Sequence, residues 1–388
     1  MEKTNKPVTL WTKDFIAISI INLLIFCSFQ MLLPTLPVYV KSLGGSDSII
    51  GWIAAVSTIS ALIIRPFSGI ALDKFGRKVV FLTGIFIVLI VTFAYGWISI
   101  VGIVLAIRFL HGFGWGIAST ASNTIASDII PKKRFGEGMG FFSLSSSLAM
   151  ALAPAVALYF LNVSSFRNVA MLSGGLCILA LILSFFIKYS KVEKDDGKGR
   201  MVLYEKASIA PSLVMFFVTA SYGAIVGFIS LYALEQGIHN IGIFFTIYAA
   251  SLLITRPFFG KIIDSFGLNT VIYPGLIILV ISMILLSYAS SMPYFLISAF
   301  LYGIGFGAVQ SSLQTMAVLK APKARFGAAN ATFFTGFDGG IGFGSVIAGM
   351  VASAIGYSRM YFFFSIFLIT AIVLYFIISK TEKLKSIN

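Results

Sequence analysis

The chain has 388 residues, 58% of them apolar and only 11% charged, with a mean hydropathy of +0.98. Soluble domains carry about a quarter charged residues, so this composition excludes one and implies an integral membrane protein. The formal net charge of +14 would suggest nucleic acid in a soluble protein, but here it reports topology: of 28 Lys and Arg, 22 (28 − 6) fall in segments expected on one side. The six exceptions are Lys41, Arg65, Arg108, Arg167, Arg256 and Arg359.

That one-sided placement follows the positive-inside pattern, so both termini are expected in the cytoplasm and no nucleic-acid partner is expected. Apolar runs of about twenty residues, enough to cross a bilayer, recur along the chain. They are continuously apolar instead of alternating, which predicts helices and not a barrel. The predicted helices are 15–40, 49–72, 78–97, 99–127, 137–161 and 167–188, then 210–234, 240–264, 270–290, 293–318, 326–355 and 358–379. Odd helices run outward and even helices inward.

Lys3, Lys6 and Lys13 before an apolar run resemble a signal peptide, but the run reaches Val40 without a small-residue cleavage site, so a retained first helix is expected. In that helix Asn22, Phe26 and Gln30 share one face at i, i+4, i+8. The face looks into a cavity or bonds to neighbouring helices; both readings stand. Pro34 and Pro37 predict a bend. Helix 2 ends in a basic turn through Asp73, Gly76 and Arg77, and its Arg65-Pro66 is placed near the inner interface. Gly76 supplies backbone freedom there.

Helix 4 carries Arg108, His111, Trp115, Ser119 and Ser122 at offsets of 3, 4, 4 and 3, one stripe on one face. Arg108 lies about nine residues into the helix, roughly 13 Å deep. A charge there is costly and points to function. Asp128, about 200° further around the helix, points away from the stripe. Helix 5 is rich in alanine around Pro154, which permits close helix packing. Cys27 and Cys177 sit in apolar runs without metal spacing and read as core residues, so no disulfide, metal or cofactor is expected. Residues 189–208 are charged and non-periodic and read as a cytoplasmic linker between residues 1–188 and 209–388.

Helix 7 places Ser221, Phe228, Tyr232 and Glu235 on one face; Glu235 near the outer end is an interfacial acid or a second proton site. Helix 10 offers Tyr302, Phe306 and Gln310 in register with His111, Trp115 and Ser119. Helix 11 carries Asp338 about a dozen residues from its inner end, the one carboxylate expected at mid-membrane, beside a ridge of Gly336, Gly340, Gly344 and Ala348. An acid at that depth suits proton uptake and release. The alternative is an acid kept to pair permanently with a basic residue such as Arg65 or Arg108.

The phrase from Arg65 to Gly76 returns from Arg256 to Gly267 at an offset of 191 (256 − 65). Ile50-Gly51 matches Ile241-Gly242, and Pro131–Gly136 matches Pro322–Gly327, in the same register. Three gapless matches argue for two structural repeats.

Gly69-Ile-Ala-Leu-Asp73-Lys-Phe-Gly76-Arg77-Lys78 resembles the loop 2–3 signature of the major facilitator superfamily, G-x-L-x-D-x-x-G-R-[RK]. The resemblance implies an all-α integral membrane protein with twelve transmembrane helices in two pseudo-symmetric six-helix bundles, moving small solutes by alternating access. It also implies that Asp73 and Arg77 pair with an acid ending helix 4, here Asp128, and that Asp73 faces the start of helix 11. Such a network latches the cytoplasmic side. Arg65, Gly76, Arg256 and Asp264 are assigned to it with those three. Arg108 to Gly112 resembles the family's R-x-x-x-G motif, and the alanines around Pro154 a weakened antiporter motif.

Together these features resemble the drug:proton antiporter branch: a monomeric exporter of a small, lipophilic or aromatic solute in exchange for protons, in the cell membrane among its lipids. Asp338 leads the proton-coupling candidates, before Arg108, His111 and Glu235. The cavity candidates are Asn22, Phe26, Gln30, Arg108, His111, Trp115, Ser119, Phe228, Tyr232, Tyr302, Phe306 and Gln310. The alternatives are an exporter or symporter of a polar or anionic metabolite, its anionic group on Arg108 and His111, and a membrane receptor. An enzyme is not expected, because the sequence contains neither an H-E-x-x-H motif nor a nucleotide loop.

Overall fold

A computed structural model describes residues 9–45, 47–190, 203–238 and 241–385. Most of the expected linker, residues 191–202, lies outside the described residues, as do Lys3 and Lys6. The described residues hold twelve helices long and apolar enough to cross a membrane. They are α1 (Lys13–Ser42), α2 (Asp47–Phe75), α3 (Arg77–Ala94), α4 (Val101–Ile129), α5 (Phe135–Val163) and α6 (Phe166–Ser184). Then come α7 (Lys206–Glu235), α8 (Gly242–Phe266), α9 (Asn269–Ser287), α10 (Met292–Leu319), α11 (Phe326–Ile355) and α12 (Tyr357–Lys385).

Most helix ends fall within three residues of the sequence expectation. The first turn of α7 starts earlier because Glu205 caps it, its side chain accepting from the Ala207 N–H. α1 continues as helix through both prolines. Pro66 likewise sits inside α2. Neighbouring helices re-satisfy the carbonyl that a proline frees, so membrane helices tolerate it.

The repeat is visible in the packing. α1 packs on α5 and α6, and α2 and α3 on α4; in the second half α7 packs on α11 and α12, and α8 and α9 on α10. Lipid is as apolar as the side chains, so close approach and van der Waals contact hold such helices together. The expected ridge on α11 does this against α7: side chains at Gly336, Gly340 and Gly344 would meet the carbonyls of Ser212, Phe216 and Ala220.

The halves meet chiefly along α2–α11 and α5–α8, two equivalent seams. Between them Gln314 donates to Asn123 (2.8 Å), residues one repeat apart (314 − 123 = 191) that touch across the pseudo-two-fold axis.

Candidate functional site

At one end, the signature turns build a closed layer. Gly76 adopts φ 95°, a conformation that side chains disfavour, and turns the chain from α2 into α3; its repeat partner Gly267 has φ 85°. Arg77 then reaches back. It donates to Asp73 (2.8 Å), to the Leu72 carbonyl (2.8 Å) and to Asp128 (2.9 Å). Asp73 in turn accepts the backbone N–H groups of Gly327 and Ala328 (both 3.0 Å) at the start of α11. A helix N-terminus presents unsatisfied N–H groups and a positive dipole end, so a carboxylate is held firmly there. The resemblance anticipates this arrangement.

The second signature repeats the contact. Asp264 accepts from Gly136 and Glu137 (both 2.9 Å) at the start of α5. Glycines let the seams close: a side chain at Gly69 would press on Ala331 (2.8 Å), and one at Gly260 on the Gly136 carbonyl (2.6 Å).

Arg65 and Arg256 do not belong to this layer, contrary to expectation. Because α2 runs to Phe75, Arg65 lies about 15 Å inside it at 1.5 Å per residue. It is 2% exposed and pairs with Asp338 of α11 at 2.6 Å, an ion pair between the two halves. It also donates to Ser119 and Thr120 of α4 (both 3.1 Å) and lies 5.0 Å from the Phe334 ring centroid. Asp338 is therefore not a lone acid, and of the two arginines considered its partner is Arg65. Arg256 is buried at the equivalent place in α8. It donates to the Ser143 carbonyl of α5 and to the Gln310 side chain of α10.

Arg108 and His111 are fully buried, and they face protein instead of a watery cavity. Arg108 donates to the Ile53 carbonyl (3.2 Å), lies 3.2 Å from His111 Nδ1 and covers the Phe29 ring at 5.1 Å. A guanidinium can be lodged by a backbone carbonyl and an aromatic face, which is why the stripe can turn inward. Trp115 remains half-buried, stacked on Phe29 (4.1 Å) and edge-on to Phe26 (4.6 Å); Gln30 is half-buried a turn beyond.

The other candidates separate. Asn22 donates to Ser145 (2.8 Å) and Ser146 (2.9 Å) and accepts from Ser122 (2.9 Å), so of its two readings helix-to-helix bonding is the one seen. Tyr232 is buried, donating to the carbonyls of Ser287 and Ala289, which removes it from any cavity. Glu235 is exposed as the last residue of α7, far along the helix from mid-depth. Phe228 is half-buried near Tyr357.

Tyr302 meets the Ser221 hydroxyl (2.8 Å) and joins Phe306 in an aromatic cluster with Tyr222 and Tyr248. From Phe306 the rings continue to Phe337 (6.3 Å) and Phe334 (6.0 Å), reaching Arg65. Sequence reasoning missed Phe29, Tyr222, Tyr248, Phe334 and Phe337, since aromatics are common in apolar runs and carry no spacing signal. Asn123 and Gln314 were findable, as polar residues one repeat apart.

Comparison with known proteins agrees with this architecture. The family model described as Major Facilitator Superfamily matches residues 18–239 and 211–388. The chain is 23% identical to the staphylopine export protein of Staphylococcus aureus, covering 95% of this chain and 97% of that one. It is 26% identical to the multi-drug resistance efflux pump PmrA of Streptococcus pneumoniae, over 88% and 90%. The crystal structure of the human organic anion transporter MFSD10 superposes with a TM-score of 0.80 at 16% identity, covering 93% of this chain and 98% of that one. The chain belongs to the Major Facilitator Superfamily and is a multi-pass transporter of the cell membrane.

Proposed function

We propose that this protein exports a small, lipophilic or aromatic solute in exchange for protons, by alternating access between residues 1–188 and 209–388 joined by the 189–208 linker. One observation carries the reading: the Arg65–Asp338 pair joins the two halves at mid-depth. Protonating Asp338 would neutralise one partner and leave Arg65 buried and unpaired. Breaking a buried pair costs about 3–5 kcal/mol, and about 5.5 kcal/mol inverts a 1:99 equilibrium. One proton is thus comparable to the energy that separates two states.

The positive-inside pattern supports a cytoplasmic signature end, so the closed layer there corresponds to a state shut toward the cytoplasm. The efflux relatives support the export direction. An anionic metabolite bound by Arg108 and His111 is disfavoured, because both are packed inside one half.

The test is flux of a lipophilic aromatic tracer in everted vesicles, with and without an imposed pH gradient. Gradient-dependent accumulation is expected. Flux indifferent to the gradient contradicts proton coupling, and no flux contradicts a lipophilic aromatic solute.

A further inference from the structure

The two mid-depth arginines are equivalent under the 191-residue repeat, and so are their surroundings. Arg65 touches Ser119, Phe334 and Asp338. Adding or subtracting 191 gives Gln310, Ser143 and Ser147 around Arg256, and Arg256 does bond Gln310 and the Ser143 carbonyl. The third position differs: Asp338 ionises and Ser147 does not.

Arg256 is 3% exposed, its Nε has no hydrogen-bond partner, and among the described residues it forms no ion pair. Burying a guanidinium without a counter-charge costs several kcal/mol, so an anion is what the position lacks. The neighbouring packing is aromatic: Phe306 and Tyr222 are buried rings 5.2 Å apart that continue to Phe337. Gln310, half-buried beside Arg256, adds a polar amide. Arg256 also bonds across the α5–α8 seam, which changes whenever the halves move.

We infer that the solute is an aromatic anion, its carboxylate or equivalent acidic group held by Arg256 where the other half supplies Asp338. The inference rests on the transport reading above and adds the charge of the cargo. The bound acid then supplies the counter-charge at the second seam, so solute at Arg256 and proton at Asp338 act on the two equivalent seams.

Equilibrium binding to the purified full chain, with no gradient present, tests this apart from proton coupling. The probes are 2-naphthoate, neutral 2-naphthylmethanol and cationic 2-naphthylmethylammonium. Wild type is expected to prefer naphthoate by about tenfold or more, the scale of a charge-assisted bond. Arg256→Gln abolishes that preference, and Arg256→Lys keeps part of it. As a check that does not depend on Arg256 variants folding, Ser147→Asp supplies the missing carboxylate. It should raise Tm by about 3 °C and abolish naphthoate binding.

A wild type that binds naphthoate no better than the other probes overturns the inference. So does Arg256→Gln with its anion preference intact, or Ser147→Asp with lower Tm and unchanged binding. Selective binding with no gradient-driven flux would instead contradict the transport reading alone.

Discussion

In the first half Asp73 caps α11, and in the second Asp264 caps α5, each through two backbone N–H groups at 2.9–3.0 Å. Eight residues deeper (73 − 65 and 264 − 256), α2 carries Arg65 with a carboxylate and α8 carries Arg256 without one. The helix caps are repeated where the seams must close, and the repeat is broken where charge sits in the membrane. Symmetric caps let either seam shut by the same geometry. Asymmetric charge gives the two seams different ligands to respond to.

The largest effects are expected from breaking the charged seam. Asp338→Asn should destabilise by about 3–5 kcal/mol, since it leaves the buried Arg65 without its counter-charge, and Arg65→Gln by less, since Asp338 is 17% exposed. The double variant should lose clearly less than the sum, read by thermal unfolding in detergent. Additive losses would mean the two side chains act separately.

Sterics at the closed end come next. Gly69→Leu forces a side chain against Ala331 and should disfavour closure by about 1–3 kcal/mol. Spin labels at 133 and 324, on the two equivalent short turns before α5 and α11, should report a larger separated population. An unchanged distance distribution would show that Gly69 does not limit closure.

How much of this was legible follows from the same contrast. The helices were readable because bilayer thickness sets the length of an apolar run. The latch was readable because its residues crowd into one turn and recur at a fixed offset. The Arg65–Asp338 pair was legible only as one of two possible pairings: 273 residues separate the partners, and Arg65-Pro66 reads as lying near the inner interface, whereas α2 continues to Phe75. A mid-membrane arginine is also expected to face water. Arg108 faces a carbonyl and a ring instead, and periodicity alone cannot tell a cavity face from a packed one.

Within the latch layer the two caps should differ in weight. Asp73 also bonds Arg77, which bonds Asp128, whereas the repeat positions of Arg77 and Asp128 are Leu268 and Leu319. Asp73→Asn should therefore cost about 1.5–3 kcal/mol, the range for hydrogen bonds to charged groups, and Asp264→Asn less. Asp73→Asn with Asp128→Asn should be less than additive. Equal losses at the two caps would remove the distinction. The smallest effect is expected at exposed Glu235, where Glu235→Gln should stay within about 0.5 kcal/mol and leave transport unchanged.

The central claim is that a proton on Asp338 controls an ion pair between the halves. It is tested most directly by comparing gradient-driven accumulation with downhill exchange of the same solute in vesicles bearing Asp338→Asn, which mimics the protonated acid. Downhill exchange should persist and pH-driven accumulation should vanish. If Asp338→Asn still concentrates solute against its gradient, proton coupling does not pass through this pair.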